Sequence, residues 1–336
     1  MTVQITIIGM GQIGTSIGLA LASQKGQVMR VGHDRDLGTA RLAEKMGALD
    51  RVEINLPNAV READLVILSL PLDQVRETLA VINQDLKDNA VVVDTAPVKE
   101  VVAQWAKELL PAGRHYVGLT PVINPAYLED HDYGAQAAHA DLFKNGLIVI
   151  VAGPPAASEA IKLVADLARL LGSSALFAEA VEVDSLMSAT HILPQLMAAA
   201  LVNTTVDQPG WREGRKLAGR AYSEVTGTLA LLGEPAALAS SALLAQDNIL
   251  RVIDNAMAYL QQLRNDIQAK DNDALIGRLE QARRGRDHWW KERQQGNWAA
   301  EEIPHSPEIP KASEMFKRLV WFGSKTPQPK KKDEKD

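Results

Sequence analysis

The residues best spaced for chemistry lie near the amino terminus. Gly9, Gly11 and Gly14 form a G-x-G-x-x-G run. An apolar, β-rich stretch, Val3 to Ile8, leads straight into it, and a helical pattern, Ile13 to Ser23, leaves it. In that setting each glycine has a task. Gly9 permits a tight turn, Gly11 removes the Cβ that would block a pyrophosphate, and Gly14 lets helix and strand pack closely. Gln12 and Ile13 open the helix, whose unpaired N–H groups and positive dipole end suit phosphate. A second apolar run, Val28 to Val31, ends in Gly32-His33-Asp34. Asp34 falls where an acid holds the adenosine ribose of a dinucleotide, and its charge favours NAD over NADP. Arg35 beside it could accept a 2′-phosphate, so NADP stays open. A ligand-free glycine turn is the plain alternative. The register of strand, turn, helix and acid weighs against it.

Other clusters carry weaker signals. The chain has no cysteine, which removes disulfides, thiolate catalysis and cysteine-based zinc sites. His131 and His139 lie in a loop, Asn124 to Ala140, with Glu129, Asp130 and Asp132. The loop follows a strand at the carboxyl edge of the expected sheet, where a base or acid could serve a ligand. A polar surface loop is the plainer reading. Consecutive residues cannot all face one ion, so no metal is expected there. His191 stands alone on an apolar helix and faces either core or cleft. Arg215, Lys216, Arg220 and Tyr222 could bind a carboxylate or form a solvated helix face. Trp289, Trp290 and Trp298 follow Arg283, Arg284 and Arg286, a pattern able to stack single-stranded nucleic acid. A net charge of −6 argues instead for packing, and no nucleic-acid partner is expected.

These residues need elements to position them. Continuous apolar runs recur at Leu65 to Leu70, Ala90 to Val93, Tyr116 to Leu119 and Leu147 to Val151, with helical patterns between. That alternation predicts an α/β, Rossmann-type parallel sheet covered on both faces. Pro71 and Asp94, which close two of those runs, complete the candidate cofactor set. A further helix is expected over Ala156 to Leu171. From about Ala180 strand runs vanish, and long helices are expected over Val181 to Val206, Trp211 to Leu232, Pro235 to Gln268 and Asp271 to Arg293. Gly233-Glu234-Pro235 marks a break, with proline at a first helical position. The expected division is 1–179 for the dinucleotide domain, 180–295 for a helical substrate and dimerisation domain, and 296–336 for a proline-rich, partly disordered tail. Ser313 to Phe322 could form a short amphipathic helix there. No apolar run reaches the ~20 residues that span a bilayer, and no basic segment precedes the first apolar run. A cytoplasmic protein without a membrane partner is expected.

The glycine run, Gly32-His33-Asp34, Leu70-Pro71, Asp94 to Lys99, Gly118-Leu119-Thr120-Pro121 and Leu193-Pro194 occur in one order. In that order the chain resembles the prephenate dehydrogenase family, enzymes that oxidatively decarboxylate prephenate or arogenate on the tyrosine pathway. The resemblance spans roughly residues 3 to 265. It implies an NAD(P)-dependent oxidoreductase, a small carboxylated substrate and a homodimer. It also exposes departures. Thr120 stands where the family's catalytic histidine should be, and a threonine hydroxyl is no general base near neutral pH unless another group takes its proton. Pro97 replaces the serine that would meet the reacting hydroxyl. Leu229 replaces the arginine that would hold the substrate carboxylate. The family's Ser-His-Leu-Pro aligns so that one extra residue, in a helical bulge, would make Thr190-His191 the matching pair. Thr120 and His191 are therefore the catalytic candidates. A dinucleotide-binding protein that has lost catalysis, and now senses or scaffolds, is the alternative. A β-hydroxyacid dehydrogenase is disfavoured because Val181 to Val206 contains no lysine.

Overall fold

The computed structural model describes residues 2–153 and 158–296. β1 (Val3–Ile8) feeds α1 (Gln12–Ala20), and β2 (Val28–His33) feeds α2 (Leu37–Lys45). A two-residue β3 (Arg51–Val52) and a short α3 (Leu56–Val60) follow. Then come β4 (Leu65–Leu68), α4 (Leu72–Ile82), β5 (Val91–Asp94), α5 (Glu100–Leu109) and β6 (His115–Val122). β7 (Leu147–Val151), α6 (Ser158–Leu170) and β8 (Ser174–Phe177) complete one eight-stranded sheet, ordered β3-β2-β1-β4-β5-β6-β7-β8.

β1, β4 and β5 are buried at every position, which is why they read as unbroken apolar runs rather than alternating ones. Two apolar layers cover the sheet. One holds Ile17 and Leu21, Ala40 and Ala43 of α2, and Leu163 and Leu167 of α6. The other holds Val75 and Leu79 of α4 and Val102 of α5, and it continues into the helical domain through Ile192, Ile249 and Val252. Burying each of those three contributes roughly 1.5–3 kcal/mol, enough to hold the helices on the sheet.

The sheet differs from expectation at β7, which pairs antiparallel with β6 while every other pairing of named strands is parallel. A parallel return needs a crossover, usually a helix. Residues 123–146 supply only loop and two 3₁₀ turns, so the chain comes back along the same carboxyl edge. β3, β8 and α3 are too short to give a period in the sequence.

The helical domain comprises α7 (Ala180–Met187), a π turn (Ser188–Ile192), α8 (Leu193–Val206), α9 (Trp211–Leu217), α10 (Arg220–Thr226), α11 (Pro235–Leu244), α12 (Gln246–Ala269) and α13 (Asn272–Gln295). Two of the long helices expected from sequence are divided. One breaks at Ala218-Gly219, where the backbone turns extended, and one at Ala245 (φ −106°, ψ 33°). The joined run Ala180–Val206 spans 27 residues and holds an 18-residue window of mean hydropathy 1.4, so by length and composition it could cross a membrane. That corrects the expectation that no run is long enough to span a bilayer. The run also carries the buried Asp184, tied by hydrogen bonds to α5. Apart from Gly296, the proline-rich tail and its piece Ser313–Phe322 lie outside the described residues, as do Ala156 and Ala157.

Candidate active site

β1 and β4 are neighbours whose following helices lie on opposite faces, so a crevice opens beyond their carboxyl ends. A cleft of about 400 Å³ lies there, lined by Gly9, Gly11, Asp34, Arg35, Leu70 and Pro71 among others. Gly9 takes φ +92°, and a Cβ on it would meet the Ser69 carbonyl oxygen at 2.2 Å. A Cβ on Gly14 would come 2.0 Å from the Gly9 carbonyl oxygen, so only glycine lets α1 start this close to the turn. Gly11 differs: a Cβ there would meet nothing within 4 Å and would occupy open space at the cleft. Gly11 is also the residue before α1 and offers no side-chain cap, which leaves the first N–H groups, at Gln12, Ile13 and Gly14, without one. Ile13 packs its side chain on the core.

Asp34 closes the turn. Its Oδ2 accepts from the Met10 N–H at 2.7 Å and its Oδ1 from the Asp36 N–H at 2.9 Å. The carboxylate thus fixes the glycine loop, and a carboxylate has lone pairs left for ribose hydroxyls. Pro71 precedes α4 and forms the opposite wall. A bare loop, an uncapped helix start and an anchored acid fit the pyrophosphate and ribose of a dinucleotide. The Gln12 amide turns aside, donating to the Ala137 carbonyl oxygen at 3.0 Å.

Asp94 departs from expectation. It is fully buried, and its carboxylate is engaged by protein. Oδ2 receives Lys99 Nζ at 2.7 Å and the Ala96 N–H at 2.8 Å, and Oδ1 receives the Tyr116 hydroxyl at 2.6 Å. Lys99, also fully buried, donates further to the Leu119 and Asp94 carbonyl oxygens at 2.8 and 3.2 Å. Asp94 therefore organises the floor of the site, with both carboxylate oxygens already held by protein groups. Burial lowers the Lys99 pKa, with Asp94 opposing, and raises that of Tyr116 well above its usual value. From α7, Asp184 accepts the Lys99 N–H at 2.5 Å and the Glu100 N–H at 3.1 Å, and burial raises its pKa. Neither Asp184 nor Tyr116 is among the candidates drawn from the sequence. An acid within an apolar helix was the available signal for the first; a tyrosine in a strand gave none.

On β6, Tyr116, Gly118 and Thr120 share one face, opposite Val117 and Leu119. Val117 and Leu119 belong to the layer with α1 and α6. A Cβ on Gly118 would sit 3.0 Å from Lys99 Cδ, so Thr120 lies on the face of the buried network and the helical domain. Thr120 is 3% exposed and its Oγ1 has no hydrogen-bond partner among the described residues. The π turn supplies the extra residue that the sequence required. It buries Ile192 in the cluster that also holds Ile8, Leu68 and Ala96, while His191 beside it keeps contact with solvent. Crowding by protein still lowers the His191 pKa below its usual 6.5, so the ring is neutral at pH 7.

The remaining candidates lie apart from these. His139 stacks on Tyr127 at 4.2 Å between centroids, and its N–H reaches Ser16 of α1. These contacts are on the α1 side of the sheet, not the Thr120 side. Tyr127 donates to Asp141 at 2.5 Å, which pushes its pKa up to about 12. His131 is exposed. Lys216 pairs with Glu213 and Arg220 with Glu224, while the Tyr222 hydroxyl meets Thr205. The arginine of the tryptophan cluster, Arg286, lies 4.4 Å over Trp290, an intramolecular use of that pattern. No group of three metal-ligating side chains occurs among the described residues.

Comparison with known proteins agrees with this architecture. The nucleotide-binding domain of prephenate dehydrogenase matches residues 17–176, and its dimerization domain matches residues 179–281. The chain is 26% identical to prephenate dehydrogenase of Bacillus subtilis over 84% of this chain and 75% of that protein. It is 26% identical to cyclohexadienyl dehydrogenase of Zymomonas mobilis over 84% of this chain and 94% of that protein. In fold it is similar to prephenate dehydrogenase from A. aeolicus, solved with hydroxyphenyl propionate and NAD+, at TM-score 0.76 and 19% identity over 86% and 98% of the two chains. The arogenate dehydrogenase of Synechocystis aligns at TM-score 0.66 and 21% identity over 85% and 99%. With both domains matched in order across most of its length, the chain belongs to the prephenate dehydrogenase family.

Proposed function

We propose that this protein is an NAD-dependent dehydrogenase that oxidatively decarboxylates prephenate or a closely related carboxylated cyclohexadienol. The reading rests on one observation above all: Gly9 to Gly14 bends around an uncapped helix start while Asp34 anchors the turn from β2. Bound NAD+ would take up the hydride released from the substrate carbon. The chain's own groups hold the reactants and handle the proton. Asp34 receives the ribose, and the backbone about Gly11 receives the pyrophosphate. His191, neutral at pH 7, takes the substrate hydroxyl's proton as the hydride departs. Thr120 offers its unpartnered hydroxyl as a hydrogen-bond donor to the same oxygen. Loss of the carboxylate as carbon dioxide then makes the ring aromatic.

Residues 1–179 carry the cofactor in this scheme and residues 180–295 complete the substrate cleft and pair two subunits. A homodimer in the cytoplasm accords with the family's dimerization domain and a cysteine-free chain. The direct test incubates pure protein with prephenate or arogenate and NAD+ and follows reduced cofactor by absorbance. Turnover on either substrate is expected. A chain that binds NAD+, turns over neither, and gains activity only as Thr120→His would instead have lost its base.

A further inference from the structure

Arg35 lines the cleft beside Asp34, at the end where the adenosine ribose would lie, and its guanidinium is ion-paired with Glu234. Glu234 comes from the other domain. It is the residue before α11, in the Gly233-Glu234-Pro235 break. α11 is held in place by Leu238 and Ala242, which pack on the same apolar layer as α4. The pair therefore crosses from the helical domain to the rim of the cofactor cleft. Both side chains are more than half exposed, at 66% and 55%, so the contact adds little to stability. Its effect is on where charge lies. NADP differs from NAD by a 2′-phosphate of roughly two negative charges, and an arginine next to the ribose acid is the group that accommodates it. Here that guanidinium already faces a carboxylate. Asp34 and Asp73 also act on it, so the local balance is negative.

We propose that Glu234 is a cofactor-specificity residue: by holding Arg35 across the domain junction, it denies a 2′-phosphate its cation and keeps the cleft selective for NAD. The inference rests on the reading of this cleft as a dinucleotide site. A 2′-phosphate entering the native protein must displace a carboxylate or sit beside two of them. Removing the Glu234 charge frees the guanidinium without altering the glycine turn, which Asp34 holds on its own.

Calorimetric titration of the full chain with NAD+ and with NADP+ tests this. Wild type is expected to bind NAD+ more tightly. Glu234→Gln should lower the ratio of the NADP+ to the NAD+ dissociation constant by on the order of tenfold, the scale of one charge pair at a protein surface. In the double variant Glu234→Gln/Arg35→Gln the ratio should return toward wild type. An unchanged ratio in Glu234→Gln overturns the proposal, as does a lowered ratio that persists without Arg35. A wild-type chain that prefers NADP+ overturns it too. A wild-type chain that binds neither dinucleotide overturns the cofactor reading itself, a result distinct from the others.

Discussion

Under the proposed reading, Thr120 and His191 set the chemistry of this site. A buried hydroxyl without a partner costs about 1–3 kcal/mol, a loss the fold has no structural reason to carry. A ligand oxygen would recover it. Because the native His191 pKa lies below the usual value, its neutral form is favoured by folding. The unfolded chain then binds more protons as pH falls below about 6.5. The associated stability is present above that pH and is lost as pH drops through the native pKa. Activity follows the same direction. The acid limb of kcat/KM should fall with a pKa below 6.5, and His191→Asn should lower the rate by about 10²–10⁴ and abolish that limb. A limb that survives the substitution would remove His191 from proton transfer. At this scale the sequence was only partly legible. Asp34 and the glycines could be read from spacing because the backbone itself dictates them. Asp94 could not, since nothing in its neighbours tells whether a strand-end acid faces ligand or a buried lysine. That depends on Lys99 folding back and on Tyr116 from the adjacent strand.

At the scale of elements, the first strand, turn and helix were readable almost residue by residue. Local sterics decide them: Gly9 needs positive φ, and Gly14 must clear a carbonyl. This makes a contrast testable. Gly14→Ala places a Cβ against backbone and should destabilise the domain markedly. Gly11→Ala meets no protein atom and should leave the melting temperature near wild type, yet weaken NAD+ binding at least tenfold. Equal loss of stability in both would show that Gly11, too, is needed only for packing. Longer-range choices left fainter traces. The turn to antiparallel at β7 follows from a missing crossover helix, visible as a polar loop but easy to mistake for an insertion. The break at Ala245 has no glycine or proline to announce it. The π turn was legible only through the register of Leu193-Pro194.

The whole molecule leaves much apolar surface uncovered. Along α12, Ile249 and Val252 face the sheet, while Leu250, Met257, Leu260 and Ile267 are each more than half exposed. Leu217 and Leu243 are exposed at 86% and 74%. Large exposed apolar surfaces mark interfaces, and these residues lie in the stretch matched by the dimerization domain. Sedimentation equilibrium should therefore give twice the 36.5 kDa chain mass. Met257→Asp/Leu260→Asp should shift it toward one. A wild-type mass of a single chain would refute the pairing.

Beside the apolar packing of Ile192, Leu238 and Ile249 on the sheet's layer, two polar ties between the domains are unequal. Deep in the junction, the Asp184 carboxylate grips two amides at the start of α5 above a sealed lysine. At the rim, Arg35 and Glu234 meet in water. One behaves as the spine of a book and the other as its clasp. Any breathing of the molecule should therefore be freer at the adenosine end than around Thr120. Cofactor would then enter by its adenine half, while the reacting carbons stay in a chamber that changes shape less.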